Sequence, residues 1–306
     1  METLVRFAGV PLGFLVCAAL RLTGLRAGLA VMYHRVGDPP GDYPTELVPN
    51  LGTRMFESQV RYLRRLFRLV PASELHDAVA ARRRGGRFPV AITFDDDDAG
   101  HALVSAPILE RHDAPATFFL NGASLAAPFR FWWEVVELAV RRGIEQPQGD
   151  IHEHAMRVQM LPAAERAAVV ERLEEKVGPA PPDAGMREAL VRELADGGFE
   201  IGFHTLRHEF LTLLDSDALT RAMADGRDEL AAIAGRPLDT IAYPHGGAEP
   251  READAARAAG FRWGYTTRAM AVTPESDPLL LGRVECSFRS MGHFALRLSR
   301  ALLKAG

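Results

Sequence analysis

The sequence predicts an α/β protein built on a parallel sheet. Short runs rich in β-branched and aromatic residues recur at 29–33, 116–120, 199–203, 239–243 and 263–267, and helix-patterned stretches separate most of them. Strands alternating with helices in this way pair in parallel. A further apolar run, Val90-Ala91-Ile92-Thr93-Phe94, stops at four consecutive carboxylates, Asp95 to Asp98. Ligands of α/β sheets bind at the carboxyl ends of strands, so a strand that ends in acid points to a site. Taken alone, the acidic stretch also reads as a surface turn.

Phe7 to Leu20 is an apolar run between Arg6 and Arg21. It is short for a bilayer span. It has the length of a signal-peptide core, but Arg6 alone precedes it and Glu2 offsets that charge. A packed or membrane-surface helix, an uncleaved anchor and a cleaved signal all remain open for residues 1–28. Leu29 to Tyr33 is the first strand, and Gly37 to Pro49 is a loop by its Pro, Gly and Asp content. Phe56, Val60, Leu63 and Phe67 recur at helical spacing. Ser73 is the expected N-cap of the next helix, and Arg82 to Arg87 form a basic turn. After the acidic stretch a helix is expected to end near His112, and others near 216–234 and 250–259.

Residues 122–190 break the rhythm of strand and helix. Phe131-Trp132-Trp133-Glu134 opens one helix and Ala163 to Val177 forms another, ended by Gly178 and a proline cluster. We read this as a helical insertion over the mouth of one domain spanning 29–306. Trp132 and Trp133 fit core anchors or a sugar-stacking platform. His152-Glu153-His154 reads as surface.

With 47% hydrophobic and 25% charged residues the composition is that of a globular protein. A net charge of -4 carries no basic excess and argues against a nucleic-acid partner. Cys17 and Cys286 are the sole cysteines and read as unpaired buried thiols.

Four adjacent carboxylates repel one another, and a divalent cation relieves that repulsion. Far downstream, Phe199 to Phe203 reads as a strand, followed by His204-Thr205-Leu206-Arg207-His208. Histidines at i and i+4 share one face of a helical turn and can reach one ion. Two histidines with one carboxylate form a catalytic zinc set that leaves a position for water.

Thr93-Phe94-Asp95-Asp96 followed by His204-Thr205-x-x-His208 resembles the TFDDG and H[ST]xxH motifs of the polysaccharide deacetylases, the NodB-homology group or carbohydrate esterase family 4. Ala114 to Leu120 resembles the family's PATFF strand, and Ile241 to Gly246 its third motif. Tyr33-His34-Arg35-Val36 resembles the YHRV opening of a bacterial subgroup that looks like a circularly rearranged form, with the N-terminal strand in the last strand's place. The resemblance covers about residues 29 to 285, with a gap at about 122 to 190, and implies a distorted β/α barrel. It implies hydrolysis of N-acetyl groups on a glycan such as an N-acetylglucosamine polymer. The expected setting is the cell envelope or a membrane, with a cytoplasmic one left open. Membrane association would run through residues 7–20.

By the same resemblance Asp96, His204 and His208 hold a divalent metal, with zinc first. Asp95 is the base that takes a proton from the attacking water. The backbone of Tyr243, Pro244 and His245 offers an oxyanion donor, and Thr205 orients its neighbours. For the general acid, His34 follows a strand as the other site residues do, and His293 and His245 come next. Three departures stand out. Asp97 replaces the usual Gly, and with Asp98 is expected to raise the pKa of the base. The third-motif arginine is missing, with Ala242 in its place, and His245 replaces the usual Tyr. The alternatives are a carbohydrate-binding relative without catalysis and a metal amidohydrolase acting on a small non-sugar amide.

Overall fold

A computed structural model describes residues 2–42 and 44–306, with the side chains of residues 2–4, 7 and 163 excepted. Tyr43, within the expected loop, and the side chain of Phe7, at the start of the apolar run, lie outside the described residues. The chain opens with helix α1 (Glu2–Arg21) and strand β1 (Leu29–Tyr33). Then follow α2 (Thr53–Leu66), β2 (Arg68–Leu69), α3 (Ala72–Ala80), β3 (Pro89–Asp95), α4 (Ala106–Arg111) and β4 (Thr117–Leu120). Three helices come next, α5 (Trp132–Arg141), α6 (Ile151–Gln159) and α7 (Ala163–Val177), before α8 (Glu188–Asp196) and β5 (Glu200–Phe203). The last third holds α9 (Ser216–Ala224), α10 (Arg227–Ala234), β6 (Thr240–Ala242), α11 (Pro250–Ala258), β7 (Trp263–Tyr265), β8 (Val284–Glu285) and α12 (Met291–Leu303).

The strands form one sheet in the order β7-β6-β5-β4-β3-β1-β8, with β2 paired to β3 beside that path, and every pairing is parallel. The sheet curls into an open half-barrel. One strap crosses between its edges: Leu281 bridges Tyr265, and three residues on Val284 pairs with Val31. Strands β1, β3, β4 and β5 are buried on both faces, which explains their near-continuous apolar sequences.

Register fixes what emerges where. Tyr33 lies beside Phe94, Asp95 beside Phe119, and Leu120 beside Phe203. His34, Asp95 and His204 therefore leave the sheet along the same rim. Helices α5 to α7 pack around a small apolar cluster of their own, with Val135, Val136, Ala139, Val158, Leu173 and Val177.

Local details depart from the sequence expectations. Helix α3 starts at Ala72 with Pro71 at the N-cap, so Ser73 is not the cap. Tertiary partners satisfy its first amides: Ala72 N–H donates to Thr117 Oγ1 at 2.9 Å and Ser73 N–H to Glu200 Oε2 at 3.2 Å. The helix expected over 216–234 is two helices, because Asp225 leaves helical geometry and Gly226 takes φ 80°. The helix ending near His112 begins with a π-helical turn over His101–Ser105. β8, two residues long, has too short a run to show in the sequence. Both cysteines are free and buried.

The N-terminal apolar run forms α1, packed lengthwise on α12. No helix among the described residues is long and apolar enough to cross a membrane.

Candidate metal centre

Three ligand-bearing side chains converge at the rim. One ligand atom each from Asp96, His204 and His208 lies within 4.8 Å of the others. Asp96 Oδ1 is 3.6 Å from His204 Nε2 and 3.4 Å from His208 Nε2. Nitrogen and oxygen ligands about 2.1 Å from a tetrahedral ion stand about 3.4 Å apart, so the spacing fits one ion.

The backbone reaches this arrangement through left-handed residues. Asp96 has φ 75°, Thr205 φ 55° and His208 φ 49°. Asp tolerates that region better than most residues, and here the turn falls on Asp96 and not on the Gly-replacing Asp97. The two histidines do not share a helical turn, as their spacing suggested. Residues 204–208 are a loop, because two of the five have positive φ. The loop still brings the imidazoles together, with ring centroids 4.9 Å apart.

The two imidazoles are in the form that binds metal, and the carboxylate lacks a paired counter-charge among the described residues. His204 Nδ1–H donates to the Ala242 carbonyl at 2.8 Å, which leaves Nε2 with a lone pair toward the cluster. Burial lowers His204 to about 4 and His208 well below its ordinary value, so both are neutral near pH 7. Asp96 is pushed well above its ordinary value, first by burial and then by the charge of Asp95. Its Oδ1 is buried without a hydrogen-bond partner. A buried orphan carboxylate oxygen between two neutral imidazoles is the donor set a divalent ion satisfies.

Asp95 is held differently. Burial alone would raise it, but Arg283 brings it down to about 2. The guanidinium donates Nη1–H to Oδ1 at 2.6 Å and Nη2–H to Oδ2 at 2.7 Å, a bidentate pair inside the barrel. The expectation that Asp97 and Asp98 would raise the base is thus corrected. Asp97 turns away and accepts from Asn121 N–H at 2.8 Å and from Gly122 N–H, Ser124 N–H and Ser124 Oγ–H. Asp98 pairs with Arg35 Nε at 3.1 Å, and Arg35 also bonds Glu134 at the start of α5. Ala242 offers Asp95 no charge partner, and the guanidinium comes from Arg283 on the strap.

Other residues escaped the sequence reading. His101 Nε2–H lies 2.9 and 3.1 Å from the carbonyls of Asp95 and Asp96 and pins their turn. Asn121 Nδ2–H donates to the carbonyls of His204 and Thr205 at 3.0 and 2.7 Å, linking the Asp97 loop to the histidine loop. Thr205 is buried, and its hydroxyl has no partner among the described residues.

A pocket of about 400 Å³ opens over the cluster. His34, Asp95, Asp96, His204, His208 and His245 all line it. Burial lowers His34 below its ordinary value, partly opposed by Asp95. Helices α5 and α6 contribute to the wall through Trp132, Trp133 and His152. His152 therefore faces the pocket, and His154 is buried, so the expectation that both lie on the surface is corrected. Trp133 stacks on Phe131 at 4.3 Å and approaches His208 at 4.6 Å. His293 sits instead in the first turn of α12, bonded to Ser290 Oγ at 2.9 Å.

The third-motif stretch divides. Tyr243 N–H is taken by the Tyr265 carbonyl, and its hydroxyl donates to Leu279 O at 2.8 Å in the core. Pro244 has no N–H, which narrows a backbone-donor role to His245. That residue has φ 58° and its ring stacks on Phe210 at 3.9 Å.

Comparison with known proteins agrees with this fold. The family model described as polysaccharide deacetylase matches residues 82–264. The fold is similar to the Streptococcus pyogenes deacetylase PplD in complex with acetate, at 17% identity and TM-score 0.64, covering 92% of this chain and 99% of that one. It is also similar to IcaB from Ammonifex degensii, at 21% identity and TM-score 0.59, covering 88% and 97%. The BpsB deacetylase domain from Bordetella bronchiseptica follows at 15% identity and TM-score 0.55, covering 85% and 95%. At these identities the structures report on fold alone. No curated protein matches the sequence.

Proposed function

The chain belongs to the polysaccharide deacetylase family, and from that premise we propose that it hydrolyses N-acetyl groups on an N-acetylglucosamine-containing glycan of the cell envelope. The observation that carries the proposal is the buried, partnerless Asp96 Oδ1 set between two neutral imidazoles. Asp96, His204 and His208 would hold a divalent ion, and a set of two imidazoles and one carboxylate suits zinc first. Bound there, a divalent ion would supply Lewis acidity, enough to let a weak base activate water near neutral pH.

The chain's own groups take the remaining roles. Asp95 stays ionised at every working pH, and each of its oxygens keeps a lone pair beyond the one Arg283 uses. It is the base toward water. The departing amine needs a proton, and His34 faces the same pocket to deliver it. With Tyr243 N–H engaged and Pro244 lacking one, the His245 N–H takes the role of backbone donor to the developing oxyanion. Trp132 and His152 form an outer wall suited to a sugar ring. β1 lies between β3 and β8, so His34 leaves the sheet beside Asp95, which supports placing it in the acid's role. Arg283 supports catalysis over binding alone, since it gives Asp95 the charge partner that Ala242 does not.

Acetate release measured over a panel of N-acetylated oligosaccharides and small acetamides tests the reading. Release from the sugars, abolished by a chelator, is expected. Release from small acetamides alone would move the protein to the amidohydrolase alternative.

A further inference from the structure

The flank of the barrel carries a surface that the reaction does not use. Helix α1 lies along α12 in close contact. A Cβ on Gly9 would meet the Gly292 carbonyl oxygen at 2.5 Å, and one on Gly13 would meet the Ala295 Cβ at 2.9 Å. Cys17 is buried against the same helix, with Ser299 as its hydrogen-bond partner. These contacts proceed in step, so the helices run parallel, and the remaining face of α1 points outward. Between Ala8 and Leu22 every exposed residue is apolar. Leu12 is 48% exposed, Phe14 45%, Leu15 63% and Leu22 65%. A helix that merely covered its neighbour would show water a polar outer face.

The basic turn at 82–87 is clamped to the C-terminal end of this helix. Gly85 N–H donates to the Arg21 carbonyl at 2.7 Å, Arg84 Nε–H to the Leu22 carbonyl at 2.6 Å, and Arg82 Nη2–H to the Arg21 carbonyl at 3.3 Å. Beside the turn lies a groove of about 540 Å³ lined by Arg64, Arg68, Arg82, Arg83 and Arg87, with no carboxylate among its lining residues. The whole chain carries a net charge of -4, so this concentration of guanidinium groups runs against the overall balance. Arg64 also meets Asp113 at 3.1 Å, but both side chains are exposed and such a pair holds weakly.

We propose that α1 and the arginine groove together dock the enzyme on an anionic lipid bilayer. The apolar face of α1 lies in the acyl boundary, and the groove receives lipid phosphates. An apolar helix face combined with a basic patch supplies the two signals that stable attachment to a membrane surface requires. Guanidinium groups attract the anionic leaflet over about a Debye length. A second copy could cover α1 but would leave the arginine groove without a counter-charge, because a two-fold contact centred on that groove would set arginine against arginine. Because α12 starts just after β8, at the rim that carries the metal centre, α1 runs from that rim toward the opposite end. A docked enzyme thus holds its pocket open sideways, along the membrane plane.

Sedimentation of the full chain with vesicles tests this. Vesicles of phosphatidylcholine containing phosphatidylglycerol should carry the protein down, and vesicles of phosphatidylcholine alone much less. Leu12→Ser/Leu15→Ser and Arg83→Glu/Arg87→Glu change exposed residues outside the catalytic pocket. Each should weaken vesicle binding about tenfold or more while thermal unfolding and acetate release from a soluble substrate stay unchanged. No binding to anionic vesicles would overturn the proposal, as would binding that both variants retain. A lipid-free dimer dissociated by Leu12→Ser/Leu15→Ser would assign the face to a second copy and also overturn it. Binding of inorganic phosphate without vesicle binding would reduce the groove to a free-phosphate site, which is equally contrary.

Discussion

Arg283 grips both carboxylate oxygens of Asp95, at 2.6 and 2.7 Å, and neither side chain reaches solvent to any extent. The two residues come from opposite ends of the barrel's construction. Asp95 closes β3, and Arg283 sits on the strap that crosses between the sheet's edges. One ion pair therefore both sets the charge of the proposed base and ties the strap to the sheet.

Arg283→Gln should be costly. Removing one partner of a buried pair leaves the other charge unpaired, on the order of 3–5 kcal/mol. Asp95, at about 2 in the fold against 3.8 when free, contributes stability that is full above the free value and fades as pH falls toward the folded one. Urea unfolding of the wild type and the variant should differ strongly at neutral pH, and the gap should narrow below about pH 4. A difference under about 1 kcal/mol at neutral pH would show that the pair behaves as a surface salt bridge.

His204→Ala and His208→Ala should each remove bound metal, because a site of three protein ligands reduced to two loses most of its affinity. Elemental analysis after dialysis reads this directly. Full occupancy in either variant would show that the ligands lie elsewhere.

Asp95→Asn should retain metal and lose acetate release, since the amide keeps the shape but cannot accept a proton. The same change leaves Arg283 without its counter-charge, so thermal unfolding of the variant should be recorded alongside. Loss of metal in a folded Asp95→Asn protein would exchange the roles of Asp95 and Asp96.

Most of the sheet is legible in the sequence because strands buried on both faces must be apolar throughout, as Val90 to Phe94 and Thr117 to Leu120 are. Asp96, His204 and His208 are legible as candidates because each follows such a strand within a few residues. The shape of the 204–208 loop is not, since the spacing of the histidines matches a helical turn and only the positive φ of Thr205 and His208 breaks it. Arg283 is hidden for a different reason. It lies 188 residues from its partner, and nothing in Leu281-Gly282-Arg283-Val284 announces a charge destined for the barrel interior, except that an arginine stands inside a short apolar run. His101 and Asn121 are missed in the same way, because their work is done on backbone carbonyls that leave no pattern in sequence.

His34→Ala should keep its metal and slow amide cleavage by about 100-fold or more, the usual scale for loss of an acid–base group. An aryl acetate should suffer much less, because an aryloxide leaves without a proton. Parallel kinetics on the two substrates separate the cases. Equal loss on both would move the acid role to His245, the other imidazole of the pocket outside the proposed ligand set that comes from a strand end.

Deacetylation, on this reading, depends on one ion held by Asp96, His204 and His208. The decisive experiment titrates metal-stripped protein with zinc while acetate release from an N-acetylglucosamine oligosaccharide is recorded. Activity should rise from near zero in proportion to added ion and level off at about one equivalent per chain, and Asp96→Asn should stay inactive throughout. Acetate release by the stripped protein, or full ion binding at this site with no release, would refute that dependence.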